Sequence, residues 1–358
     1  MKRIGYLYEK ICDIENIRLA IDNVAAGRKN LKQIKRLLKN KEQYAESLRN
    51  RLLNQTLQLH STYKFKVIQK NGKEREITAP NIYPDQVVHW ATLQVLIPIF
   101  SKGMYFHCIG NVEGRGWIKG YDYVKKTQNK HIKYCMKLDI KKFYPSIDKK
   151  ILKSIFRTKI KDKKTLWLLD LIVDSTQDSG IPIGFYTSQW FANLYLEELD
   201  HFIKEKLHIK YYVRYVDDMV MFDTNKRKLH KARIAIDNYL KISRHVSLKE
   251  NWQVWKIYSR PLDFLGFKFY NKQVKLRNAI RIGILRTVSI VKKKGYCTIQ
   301  RARSIASRLG RLKYISDGRD FYLKYIKPII SKRQITNIIS KYDRIKNQHR
   351  KELFFYDY

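Results

Sequence analysis

The residues of this chain with the clearest chemistry are two adjacent acids, Asp217 and Asp218. They stand between Tyr211-Tyr212-Val213-Arg214-Tyr215-Val216 and Met219-Val220-Met221-Phe222. Flanks so rich in β-branched and aromatic side chains favour strands, so the segment predicts a hairpin with carboxylates at its tip. Adjacent carboxylates repel and raise one another's pKa unless a cation lies between them, and oxygen-binding divalent ions such as Mg²⁺ answer that need. A third acid is then expected elsewhere. Asp139 ends the run Tyr134-Cys135-Met136-Lys137-Leu138-Asp139. Strand alternation sets Tyr134, Met136, Leu138 and Ile140 on one face and Cys135, Lys137 and Asp139 on the other. One strand-end Asp with one Asp-Asp hairpin is the acid inventory of two-metal phosphoryl transfer.

The composition points to a phosphate-bearing partner. Among 358 residues, 74 are Lys or Arg and 32 are Asp or Glu, a formal charge of +42. A chain this self-repelling suits a polyanion, and with no lipidation signal or long apolar anchor a membrane is not expected as its partner. Val87 to Phe100 is the most apolar stretch, but His89 and Pro98 interrupt it, which reads as a core helix. Cys12, Cys108, Cys135 and Cys297 are scattered without metal-ligand spacing, as for reduced thiols in a cytoplasmic protein with no zinc site. Met1 to Leu19 mixes acids and bases among its apolar residues, unlike a signal peptide.

Tyr215-Val216-Asp217-Asp218 resembles the hallmark tetrapeptide of reverse transcriptases, and Asp139 matches that family's upstream metal-binding Asp. The resemblance implies an α+β right-hand polymerase: fingers, a ferredoxin-like palm with an antiparallel sheet, and a helical thumb. It implies RNA-templated DNA synthesis with two Mg²⁺ ions, Mn²⁺ being a substitute, held by Asp139, Asp217, Asp218 and the Ile140 backbone carbonyl. Template RNA, primer, cDNA and dNTPs are the implied partners, in the cytoplasm of a bacterium or as a phage-encoded protein. On this plan residues 1–60 are a helical extension, 61–132 fingers, 133–270 palm with 149–190 partly joining it to the fingers, and 271–358 a basic thumb and tail.

The remaining motifs fall along that plan. Lys64 to Pro80 predicts a hairpin closed by Asn71-Gly72, and it resembles the fingers hairpin, where Arg75 with Lys70 or Lys73 would grip an incoming triphosphate. By its residues alone the same stretch is a basic surface hairpin. Arg115, between Gly114 and Gly116, matches a fingers segment near the template. Tyr144, five positions after Asp139, matches the aromatic that excludes a 2′-hydroxyl; of Phe143 and Tyr144, one is expected in the core. Ile183 and Gly184, followed by Ser188-Gln189, resemble the form found in diversity-generating retroelements, although Phe185 stands where that pattern has Asn. That subtype implies errors at template adenines and a small basic helical accessory protein; its apolar Ile183 makes fewer polar contacts to a nascent pair than an amide would. Gln189 and Tyr215 fall beside the template and primer in the resemblance. So do Leu265 and Gly266, in Leu262 to Phe269, which resembles the primer grip. Lys249 is the candidate proton donor to departing pyrophosphate. From Lys275 onward Lys and Arg crowd a helical pattern that fits a thumb on a duplex backbone. Two other readings stand beside the retroelement enzyme: a phage-defence reverse transcriptase, and a non-catalytic RNA-binding protein of polymerase fold.

Overall fold

Leu7, Tyr8 and Ile11, then Ile17, Ile21 and Val24, recur at helical spacing and are buried together. They belong to α1 (Tyr8–Ile11) and α2 (Ile14–Ala25), which are followed by α3 (Lys32–Lys39) and α4 (Lys41–Leu53). The computed structural model describes residues 3–59, 63–68, 72, 74–128, 130 and 132–355, with side chains to residue 344. Two compact units are present, Met1–Trp255 and Lys256–Tyr358.

After the helices comes a hairpin of β1 (Tyr63–Ile68) and β2 (Glu74–Ala79), with Ile68 paired to Glu74 and Gly72 at φ 79° in the closing loop. Lys70 and Lys73 lie outside the described residues. α5 (Val87–Gly103) buries Val88, Ala91, Leu93, Leu96 and Phe100 around most of its girth, as a core helix does. No described helix is long and apolar enough to cross a membrane. α6 (Gly116–Gln128) then leads to the acid-bearing strands.

β3 (Tyr134–Asp139) is separated from its partner hairpin by α7 (Phe143–Ser146), α8 (Lys149–Lys159), α9 (Lys163–Asp174), α10 (Tyr186–Tyr195) and α11 (Glu197–His201). Asp148 and Asp162 start α8 and α9 by accepting backbone N–H bonds from the first turn. β4 (Tyr211–Tyr215) and β5 (Asp218–Asp223) follow, then α12 (Lys226–Arg244) and β6 (Gln253–Lys256). The sheet order is β4-β5-β3-β6, with β5 antiparallel to both β3 and β4. Met136, Leu138, Tyr212, Met219 and Met221 join one apolar core with α5 and α10 residues such as Leu96 and Phe191.

The second unit begins with an antiparallel meander, β7 (Leu262–Phe264), β8 (Phe267–Phe269) and β9 (Val274–Leu276). Leu265 and Gly266 form its two-residue loop at φ 54° and 86°, a tight left-handed turn. A Cβ on Gly266 would lie 2.9 Å from Ile280, so the loop is packed against the helix that follows. That helix is α13 (Asn278–Lys294), succeeded by α14 (Ile299–Leu309), α15 (Gly318–Tyr325) and α16 (Lys332–Phe355). The meander lies in the same compact unit as these basic helices.

One long-range tie anchors the N-terminal helices. The Asp162 carboxylate accepts N–H bonds from Leu7 at 2.9 Å and Tyr8 at 2.8 Å. Burial pushes its pKa up, but these donors outweigh burial and hold it below the ordinary carboxylate value. Its contribution is therefore complete above the unfolded pKa of about 3.9 and is lost as pH falls through the folded value. Asp162→Ala should cost about 1–3 kcal/mol at pH 7. Denaturant unfolding repeated near pH 3 should show that difference shrinking.

Candidate active site

Asp139 is the direct cross-strand partner of Asp218, and Tyr215 is the partner of Asp218 across the hairpin. Val216 and Asp217 are consequently the whole of the β4–β5 turn, and the three acids meet at one end of the sheet. Val216 adopts φ 57°, a left-handed backbone that costs a β-branched residue of order 1–3 kcal/mol. Something must hold that turn. Arg214, wholly buried, donates from Nη1 to the Val216 carbonyl at 2.9 Å and to Asn193 Oδ1 at 3.2 Å. Its Nε donates to Asp200 Oδ1 at 2.7 Å, and its Nη2 forms the second arm of a fork on Oδ2, while the Tyr212 hydroxyl donates to Oδ1 at 2.7 Å. Asn193 Nδ2 donates to the Gly110 carbonyl at 2.6 Å. Gly110 itself fits only without a side chain, since a Cβ would lie 2.7 Å from the Val216 nitrogen.

Burial raises the carboxyl pKa of Asp217, and so does Asp139 beside it; Lys249 acts in the opposite direction. Asp218 is pushed up to about 6 by burial, with Asp139 and Asp217 adding to the rise and Lys137 opposing it. Lys137 Nζ lies 3.0 Å from Asp218 Oδ2, while Oδ1 is buried and, among the described residues, accepts no hydrogen bond. Lys249 Nζ lies 2.5 Å from Asp139 Oδ1, and its backbone N–H donates to the Asp139 carbonyl at 2.8 Å. Among the described residues, no three acids, histidines or cysteines form a closed metal cage, and two of these acids pair with lysines. A divalent cation still fits this donor set: an orphaned buried acceptor and two carboxyls burdened by one another are what such a charge relieves.

The other sequence-identified residues divide between this site and the frame around it. Phe143 is in the core and Tyr144 is partly buried. The Tyr144 hydroxyl is pushed up to about 12 by burial, then by Asp217 and Tyr215, and Arg75 pulls it the other way, so all four share one neighbourhood. Ile183 and Gly184 sit on a strap that ties this region to the hairpin. The Ile181 N–H donates to the Tyr144 carbonyl at 3.1 Å and the Thr78 N–H to the Ile183 carbonyl at 2.8 Å. Gly180 and Gly184 make those approaches possible, since a Cβ would come within 2.3 Å of the Tyr144 oxygen or 2.4 Å of the Thr78 oxygen. Phe185 is buried against His89, their ring centres 4.8 Å apart. Gln189 is partly buried on α10. Arg115 serves the frame: its Nη1 donates to the carbonyls of Tyr105 at 2.6 Å and Cys108 at 3.1 Å, holding the loop that reaches Gly110. Leu265 and Gly266 belong to the second unit, in the turn described above.

Residues 67–269 match the family model described as reverse transcriptase, RNA-dependent DNA polymerase. The chain belongs to the reverse transcriptase family. With that membership comes the α+β right-hand polymerase fold, and the matched span takes in both acid segments, the Ile183-Gly184 strap and the Leu265-Gly266 turn. A curated relative, the retron Ec73 reverse transcriptase of Escherichia coli, is 29% identical over 212 residues, which cover 55% of this chain and 64% of that protein's length. Solved structures with similar chains include apo telomerase of Candida tropicalis, with a TM-score of 0.44, 16% identity and coverage of 64% of this chain and 59% of that one. Telomerase of Candida albicans in complex with a telomeric RNA fragment gives 0.48, 10% identity and coverage of 77% and 58%.

The residues missed by reading the sequence are those beneath the turn: Arg214, Asp200, Asn193 and Gly110, together with Lys137. A signal for Arg214 was present, since alternation sets it on the same face as the buried Tyr212. Its partner Asp200 carries no such signal, because nothing local says which acid will meet it. Removing one member strands the other in the core, so Asp200→Asn or Arg214→Met should cost about 3–5 kcal/mol. Urea unfolding measures this, and a loss under about 1 kcal/mol would contradict the role given to the pair.

Proposed function

We propose that this chain is an RNA-directed DNA polymerase, extending a primer 3′-hydroxyl along template RNA with release of pyrophosphate from each dNTP. The observation that carries the reading is Asp139 paired across the strands with Asp218, with Asp217 at the turn beside them. Divalent cations, Mg²⁺ by preference, would be held by these three carboxylates with the Ile140 carbonyl, and would supply positive charge at the reacting phosphoryl oxygens. Arg75, exposed on β2, would donate to phosphate oxygens of the nucleotide, which an Arg fork suits. Tyr144 presents a ring against the sugar and disfavours a 2′-hydroxyl. Lys249 beside Asp139 is a positioned cation able to donate a proton to the leaving pyrophosphate. A formal charge of +42 supports salt-dependent hold on a duplex.

Two subtypes draw on different observations. The retron reverse transcriptase relative supports a retron-like enzyme, in keeping with the phage-defence alternative. Ile183 and Gly184 support the error-prone retroelement enzyme with its basic accessory protein. Sequencing the cDNA separates them: errors gathered opposite template adenines favour the retroelement, an even spectrum the retron-like enzyme. For the shared chemistry, primer extension on an RNA template should fall by at least about a thousand-fold in Asp139→Asn and Asp217→Asn. Tyr144→Ala should raise ribonucleotide incorporation. RNA affinity in the unaltered chain with no metal-dependent extension would instead favour a non-catalytic RNA-binding protein.

A further inference from the structure

Two neighbours on α5, His89 and Trp90, meet two neighbours at the entry to α10, Phe185 and Tyr186. The His89 and Phe185 ring centres are 4.8 Å apart, and Trp90 stacks on Tyr186 with ring centres 4.2 Å apart and planes 22° from parallel. The need for such a clamp is local. Phe185 is the N-cap of α10 and offers its first turn no side-chain acceptor, at a position where Ser, Thr, Asn or Asp ordinarily fixes the start of a helix. Gly184 before it lies at φ 129°, where the backbone has little stiffness of its own. The start of α10 therefore leans on the packing of these two rings.

The polar groups at this joint do not hold it. His89 is 1% exposed, and among the described residues neither of its ring nitrogens has a hydrogen-bond partner. The same is true of the buried hydroxyls of Thr92, one turn further along α5, and Thr187, two residues past Phe185. Burial pulls the His89 pKa down to about 3, so the imidazole is neutral near pH 7 and acts as a flat ring rather than as a charge. Ring contact is what joins the two helices at this point.

The strap runs directly into this joint. Ser179 Oγ donates to the Pro145 carbonyl at 3.2 Å, the Ile181 N–H donates to Tyr144, and the Ile183 carbonyl accepts from Thr78. Only Gly184 separates Ile183 from Phe185. Two turns along α10 from Tyr186, Asn193 bonds to Gly110 and Arg214 beneath the Val216-Asp217 turn. One helix thus receives the strap at its first turn and supports the acids further on. We infer that His89 and Trp90 are positioning residues for the nucleotide site: stacked on Phe185 and Tyr186, they fix the point where the strap joins α10, and so set where Ile183 and Gly184 stand relative to the three acids. Contact of Ile183 and Gly184 with the incoming nucleotide rests on the polymerase reading above; His89 and Trp90 act through the strap alone.

The test pairs two readouts on the intact chain. Hydrogen–deuterium exchange reads the strap amides of Ile181 and Thr78, and single-nucleotide primer extension on an RNA template gives the KM for dNTP and kcat separately. Trp90→Ala should speed exchange of both amides and raise KM about ten-fold with kcat within about two-fold, because the fraction of molecules with the strap in place falls by what a ring pair is worth. His89→Ala should act in the same direction, whereas Trp90→Phe and His89→Phe, which keep a flat ring, should stay within about three-fold of the unaltered KM. Tyr186→Ala should match Trp90→Ala, and the double variant should be no worse than either alone. Leu48→Ala, which opens a cavity on α4, controls for general loosening and should move neither readout. If Trp90→Ala melts early, Trp90→Leu keeps apolar bulk without the stacking face and takes its place. Unchanged exchange or unchanged KM in these variants, or an equal rise from Leu48→Ala, overturns the inference. Failure of the unaltered chain to extend a primer would count against the polymerase reading instead, and exchange would still decide whether the rings hold the strap.

Discussion

A guanidinium in the protein interior is tolerable only when fully partnered, and the site depends on one that is. Arg214 takes both oxygens of Asp200 through Nε and Nη2 and directs Nη1 to Asn193 and the Val216 carbonyl. The last bond is the functional one. It holds a valine in backbone geometry that valine avoids, and the next residue in the chain is Asp217. The ion pair thus acts less as general stabilisation than as a specification of where one carboxylate stands, since a hydrophobic replacement of similar volume would pack but would leave that carbonyl free.

Above this support the electrostatics run against the chain as a whole. A protein with 74 basic residues has brought three acids together and buried two of them enough to raise their pKa values. Lys137 and Lys249 moderate the repulsion from either side, each on a different acid. Any cation entering the site competes with these ammonium groups as well as with water. The arrangement tempers the cost of holding the acids together while keeping an unsatisfied oxygen on Asp218 as an incentive for binding.

The acids, the strands that bear them and the N-terminal helices were legible in sequence because alternation and helical spacing are local properties. Where sequence left Phe143 and Tyr144 undivided, burial separates them: one ring fills the core and the other keeps its hydroxyl among charges. For Arg115 the sequence offers a nucleic-acid contact, and the structure adds what no local pattern carries: backbone carbonyls of its own loop accept from its Nη1. That β7 to β9 form a sheet of their own was not legible, since strand pairing is a long-range property.

The glycine strap between Tyr144 and Thr78 has a consequence for how the protein can change over evolutionary time. One short segment is bonded at one end to Tyr144, for which we propose a place against the sugar, and at the other to the strand that carries Arg75. On the proposed roles of Tyr144 and Arg75, sugar discrimination and triphosphate capture share a mechanical connection, and substitutions at the two ends will combine non-additively. Drift in nucleotide preference in such a lineage is channelled into paired changes, with single replacements tolerated only where the strap can move without losing either bond.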